Sequence, residues 1–313
     1  MRVRIPLLGA IPLPGAISVL AAIALLALSV LPEPAAAQQP DSSDAGAGQE
    51  VMLADQFFDA DGVRIRYVDV GEGDPVILLH GFALDVEMNW ASTGLLESLP
   101  GEFRLIALDL RGHGRSDKPG ESDGYGPEFV NDVLRLMDHV GIAQAYVVGY
   151  SMGGRIALKL VTEHPDRVRA AVLGGSGWAP PGTPPPAEIR GWIPGLQAVV
   201  EGEGSVTEVL WQPGWPEPPL EWRAALDAND AGALAAVLLS LEGLSVAEAA
   251  LRDSPVPILA VVGEDDFARP DVDALAAVRP DVTVVLLPGS NHATALVDPG
   301  LEQAVLSFLR AQR

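Results

Sequence analysis

The stretch Ala145-Tyr-Val-Val-Gly-Tyr-Ser-Met-Gly-Gly154 constrains the fold of this chain more than any other. Residues 145–148 are a short apolar run, as expected of a strand covered on both faces. Residues 155–163 carry Ile156, Leu158, Leu160 and Val161 among good helix formers, which predicts a helix. Between the two lies Gly149-x-Ser151-x-Gly153. A strand that turns this abruptly into a helix forces Ser151 into a strained backbone conformation. It also drives the positions two residues either way against neighbouring segments, where glycine avoids a collision. The Ser151 hydroxyl should then stand at the strand's C-terminal edge, over the unpaired N–H groups of the helix. That disposition suits a nucleophile whose attack generates an anion.

The flanking segments extend the pattern. Residues 62–70 alternate apolar and polar side chains, as a half-exposed outer strand should. Residues 76–79, 104–109, 170–173, 258–262 and 282–287 read as short strands. Residues 127–140 form an amphipathic helix with Val130, Val133, Leu134, Met137 and Val140 on one face and Gly141 as its stop. Residues 299–310 form a closing helix with Leu301, Val305, Phe308 and Leu309 turned inward. Buried strands alternating with helices predict an α/β fold with a mostly parallel sheet wound on both faces. Ligands on such sheets bind at the strands' C-terminal ends. His80-Gly81, Asp109, Ser151, Asp265-Asp266 and His292 all fall at such ends.

With 313 residues, the chain suits one large domain carrying an insertion. It has no cysteine, which excludes disulfides, thiolate metal sites and a cysteine nucleophile. The formal charge is −22, and the only lysines are Lys118 and Lys159. So acidic a surface repels phosphate backbones, which argues against nucleic acid as a partner. Residues 1–37 read as a secretory signal peptide: Arg2 and Arg4, an apolar stretch, then Ala35-Ala-Ala37 before Gln38. An uncleaved N-terminal anchor is the alternative, and it alone would bring the protein to a membrane. Residues 38–54 read as a flexible linker. Residues 55–178 and 253–313 form the expected core. Residues 179–252 break its rhythm with five prolines between Pro180 and Pro186, followed by short helical patterns containing Trp192, Trp211, Trp215 and Trp222.

His80-Gly81-Phe82, Asp109-Leu-Arg-Gly-His-Gly-Arg-Ser116, Gly149-Tyr-Ser-Met-Gly-Gly154, Gly263-Glu-Asp-Asp266 and Asn291-His292 occur in an order that resembles the α/β-hydrolase superfamily. The chain is most similar to the branch of esterases, cofactor-free haloperoxidases and C–C-bond hydrolases. The resemblance implies Ser151 as nucleophile, His292 as base and Asp266 as acid, with Asp265 one loop shift away still open. It implies the backbone N–H groups of Phe82 and Met152 as oxyanion donors, and places His80 and His113 in loop-shaping and packing roles. It implies a helical cap over the serine at 179–252, whose tryptophans should mostly pack the cap's own core. Neither a cofactor nor a metal is implied, and Glu264, Asp265 and Asp266 lack calcium-loop spacing. Haloalkane or epoxide chemistry would need an aspartate where Ser151 stands. The expected function is an exported serine hydrolase, a carboxylesterase acting on small, uncharged, hydrophobic esters. C–C-bond hydrolysis or perhydrolysis with the same residues is the alternative, and a non-catalytic ligand-binding protein the reading from another class.

Overall fold

The computed structural model describes residues 53–313. The leader expected at 1–37, and all but the end of the linker expected at 38–54, lie outside these residues. Among the described residues eight strands form one sheet: β1 (Gln56–Asp59), β2 (Arg64–Val70), β3 (Asp74–Leu79), β4 (Phe103–Leu108), β5 (Ala145–Tyr150), β6 (Val168–Gly174), β7 (Ile258–Gly263) and β8 (Thr283–Leu287). Their order is β1-β2-β4-β3-β5-β6-β7-β8. The β1–β2 and β2–β4 pairs are antiparallel and the rest are parallel. β5 and β7 are buried along their whole length, which is why they read as unbroken apolar runs.

Among the described residues eleven α-helices accompany the sheet. α1 (Val86–Trp90) and α2 (Leu95–Ser98) follow β3, α3 (Glu128–His139) follows β4, and α4 (Met152–Glu163) follows β5. α5 (Trp192–Val200), α6 (Val206–Leu210), α7 (Leu220–Asp227), α8 (Ala231–Ser240) and α9 (Glu248–Asp253) lie between β6 and β7. α10 (Arg269–Val278) follows β7, and α11 (Pro299–Ala311) follows β8. Leu136, Ile156, Leu160 and Leu275 cover one face of the sheet. Trp90, Leu95, Leu301 and Val305 cover the other.

Residues 62–70 do not form the outer strand that their alternation suggests. β1 pairs outside β2 and makes the edge. The polar position Arg66 is fully buried because Asp55, Glu87 and Asp109 surround its guanidinium. The apolar residues of 179–252 divide between two cores. Leu196, Val206, Leu210, Leu226 and Leu234 from α5 to α8 make a small core of their own, together with Ala83. Ala236, Val237, Leu244, Val246 and Leu251 instead join the core on the α3–α4 face. These residues reach the large core directly, and the helical pattern alone does not reveal it. The Trp178 indole N–H donates to Val246 O at 2.8 Å, tying the two ends of the insertion together.

Candidate active site

Ser151 sits between β5 and α4 with φ 51° and ψ −111°, a backbone conformation that costs a side-chain-bearing residue strain. The surroundings impose it. A Cβ at Gly153 would lie 2.0 Å from Leu79 O, and one at Gly149 would lie 2.2 Å from Gly153 O. Only glycine lets the elbow approach β3 this closely. Ser151 N–H donates to Gly174 O at 2.8 Å, which pins the turn to the end of β6.

His292 arrives from the loop after β8. Asn291 shapes that loop: its Oδ1 accepts from Ala293 N–H and Thr294 N–H, both at 3.0 Å. The Tyr150 hydroxyl donates to His292 O at 2.5 Å. His292 Nε2 lies 3.0 Å from Ser151 Oγ, and its Nδ1 lies 2.8 and 3.0 Å from the two oxygens of Asp266. A carboxylate at Nδ1 fixes the tautomer with the proton there. Nε2 is then an acceptor for the Ser151 hydroxyl. The Asp266 side chain is buried, and its Oδ1 also accepts from Ala268 N–H at 2.8 Å. Asp265 and Glu264 are exposed, and Glu264 accepts from Gly289 N–H instead. Of the three carboxylates in this turn, Asp266 is the one the structure brings to His292.

Among the described residues, neither Met152 N–H nor Phe82 N–H donates to a protein acceptor. Met152 opens α4, where backbone N–H groups lack helical partners. The Gly81–Phe82 peptide is held by its carbonyl, which accepts from His80 Nδ1–H at 2.8 Å and Leu84 N–H at 3.3 Å. Leu110 N–H donates to His80 Nε2 at 2.9 Å, so the imidazole is neutral with its proton on Nδ1. Burial lowers His80 to about 4, which keeps it so. In a trans peptide the C=O and N–H point opposite ways, so Phe82 N–H is directed away from His80.

The remaining polar residues hold loops in place. Asp109 accepts from Val86 N–H at 3.0 Å and Arg115 N–H at 2.8 Å. Arg111 grips buried Asp132 through two bonds of 2.7 and 2.6 Å. Arg64 N–H donates to Asp117 at 3.0 Å. His113 is buried, with Nδ1 on Arg111 O at 3.0 Å. Among the described residues no cluster of three or more His, Asp or Glu side chains suits a metal.

Aromatic rings surround the site. Phe267 lies 4.2 Å from the His292 ring, and Trp215 stacks at 6.4 Å. Trp192 stacks on Phe82 at 5.7 Å and 12°. Two of the insertion's tryptophans thus meet site residues rather than only their own core. Trp211 packs edge-on to Trp215, and Trp222 packs against the α11-side core. No sequence motif marks Phe267 or Tyr150, although one follows Asp266 and the other fills the variable position before Ser151.

The sequence model of the alpha/beta hydrolase fold matches residues 74–203. A 2-hydroxymuconate semialdehyde hydrolase of Pseudomonas sp. CF600 is 31% identical over 237 residues, covering 71% of this chain and 78% of that protein. The dihydrolipoyllysine-residue acetyltransferase component of an acetoin cleaving system in Cupriavidus necator is 39% identical over 139 residues, which is 44% of this chain and only 36% of that protein. A solved structure from Burkholderia cenocepacia, provisionally described as an aryl esterase, superposes with a TM-score of 0.69 at 26% identity, covering 83% of this chain and 99% of that one. The eight-stranded, mostly parallel sheet, the serine at the strand–helix elbow and these matches agree: the chain belongs to the α/β-hydrolase family of enzymes.

Proposed function

We propose that this protein is a serine hydrolase, a carboxylesterase that cleaves small apolar esters through an acyl-enzyme. One observation carries the reading: Ser151 Oγ, the His292 ring and the Asp266 carboxylate stand in sequence at 3.0 and 2.8 Å. In this mechanism His292 takes the Ser151 proton as Oγ attacks the ester carbonyl carbon. Asp266 stabilises the imidazolium that forms. The oxyanion accepts from Met152 N–H and Phe82 N–H, donors worth about 3 kcal/mol each to a transition state. Collapse breaks the bond to the alcohol oxygen, which leaves with the proton from His292. Water, deprotonated by the same histidine, then attacks the acyl-enzyme and frees the acid.

The rings of Phe82, Phe267, Trp192 and Trp215 beside the site favour a substrate with apolar groups. A chain of charge −22 disfavours anionic substrates. The 31% identical semialdehyde hydrolase supports a second reading, C–C-bond hydrolysis by the same residues. The N-terminal pattern of residues 1–37 supports export, with tethering if that segment is retained.

The test is a panel of p-nitrophenyl esters of graded acyl length, run beside a 1,5-dicarbonyl C–C substrate and a fluorophosphonate probe. We expect labelling at Ser151, fastest turnover of a short or medium acyl ester, and loss of both in Ser151→Ala. Faster C–C cleavage would favour the second reading. An unlabelled wild type, or ester turnover that survives Ser151→Ala, would refute the serine-hydrolase assignment.

A further inference from the structure

Asn89 on α1 is fully buried and has no part in the mechanism above. Its Oδ1 accepts from Gly81 N–H at 2.9 Å. Its Nδ2 is buried without a partner among the described residues. A Cβ placed on Gly81 would lie 3.5 Å from Asn89 Oδ1 and also 3.5 Å from Ser151 Cβ. The amide therefore abuts the loop that borders the nucleophile.

Gly81 is held through both of its peptide groups. Asn89 takes its N–H, while His80 and Leu84 bind its carbonyl. Two residues further on, Ala83 has φ 60°, a conformation an alanine leaves when nothing enforces it. Asn89 satisfies one buried N–H and leaves its own amide nitrogen orphaned, so it adds little net stability. What the bond does supply is orientation. Asn89 fixes the His80–Gly81 peptide while His80 and Leu84 hold the carbonyl of the Gly81–Phe82 peptide, so φ and ψ of Gly81, and with them the direction of Phe82 N–H, are set from both sides.

We propose that Asn89 is a positioning residue of the hydrolytic reaction: its side-chain carbonyl aims the Phe82 N–H at the developing oxyanion. The inference rests on the serine-hydrolase reading and deepens it. Without the bond the loop relaxes and its donor swings away. The Ser151–His292–Asp266 relay stays intact, because no hydrogen bond joins it to Asn89.

The experiment compares wild type, Asn89→Leu and Asn89→Asp in the full chain. It uses a p-nitrophenyl ester, an aryl trifluoromethyl ketone that forms a tetrahedral adduct with Ser151, and the matching methyl ketone that does not. Asn89→Leu should lower kcat about 10- to 100-fold, part of the loss seen when an oxyanion donor is removed outright. KM should stay within about twofold. Trifluoromethyl ketone affinity should fall by the same factor as kcat, methyl ketone affinity should not change, and the pH dependence of kcat/KM should keep its shape. Asn89→Asp keeps the acceptor and should recover most of the activity; it also reads the same quantities if the leucine variant does not fold. Unchanged trifluoromethyl ketone binding, or equal weakening of both ketones, would overturn the proposal. A wild type that neither turns over esters nor binds the trifluoromethyl ketone would sink the serine-hydrolase reading instead.

Discussion

Acidification from pH 7 to pH 5 should destabilise this fold through two buried histidines, against a smaller opposing contribution from buried carboxyls. His80 and His113 are both fully buried, and each binds a backbone oxygen through Nδ1. Burial lowers His80 to about 4. Burial, and then His80 at 5.2 Å, lower His113 to about 3. Folded, both are neutral at pH 5. In the unfolded chain both take up protons below about pH 6.5. The unfolded state thus binds more protons throughout this window, and stability falls as pH falls, the loss running down towards about 4 for His80 and about 3 for His113. At pH 5 each histidine has withdrawn about 2 kcal/mol, roughly 1.5 pH units at about 1.36 kcal/mol each.

Asp85 acts in the opposite sense. Burial raises it to about 6, so the folded state holds the proton more tightly, returning about 1 kcal/mol between pH 7 and pH 5. Burial likewise raises Asp132 and Asp271, which add to that offset. Asp55 and Asp281, which arginines hold below the usual carboxylate range, titrate beneath the window. The net loss is about 2 to 3 kcal/mol. Urea unfolding at pH 7 and pH 5 measures it. His113→Asn, which removes one titrating group, should shrink the difference by about 2 kcal/mol. Equal wild-type stability at the two pH values, or an undiminished difference in the variant, would refute this account.

Asp266→Asn should cut kcat on a p-nitrophenyl ester by about 10³- to 10⁴-fold through the wrong imidazole tautomer, while exposed Asp265→Asn stays within about twofold; equal effects would exchange the two roles. Gly153→Ala places a methyl 2.0 Å from Leu79 O and should cost about 3 kcal/mol in urea melts. Gly141→Ala meets only open space at φ 73° and should cost about 1 kcal/mol, and a Gly153 variant no worse than this control would contradict the close approach. Tyr150→Phe removes the 2.5 Å bond to His292 O and should lower kcat about 3- to 10-fold with KM unchanged, measured on the same ester.

Much of this architecture is legible because of what parallel strands require. β3, β4, β5, β6 and β7 sit between two helical layers, so they read as apolar runs ending at chemically distinctive residues. β1 escapes notice: Gln56 to Asp59 is four residues with polar ends. α4 begins at Met152, before the apolar pattern, because Gly153 and Gly154 carry no periodicity. The motif positions of Ser151, Asp266, His292, Phe82 and Met152 are visible in one dimension. The choice of Asp266 over Asp265 is not, since it depends on which way a short turn faces. The partners of Trp192, Trp215 and Tyr150 are equally hidden, because they lie across long chain separations. Asn89 gives no signal at all: one amide in a mixed segment becomes informative only when its neighbour proves to be Gly81.

The strand order also divides the work around the nucleophile. β3 pairs with β5, with Leu79 opposite Gly149, so the loop carrying Phe82 meets the elbow from that side. β6, β7 and β8 follow on the other side and deliver Asp266 and His292. The proposed Phe82 donor and the groups proposed to move the proton therefore rest on separate supports, Asn89 for the first and Tyr150 for the second. Supports with no shared partner should act independently. In a variant combining Asn89→Leu with Tyr150→Phe, the fold losses in kcat should multiply, within about twofold. A combined loss no greater than the larger single loss would mean that the two loops move as one body, and the separation argued from the sheet order would fail.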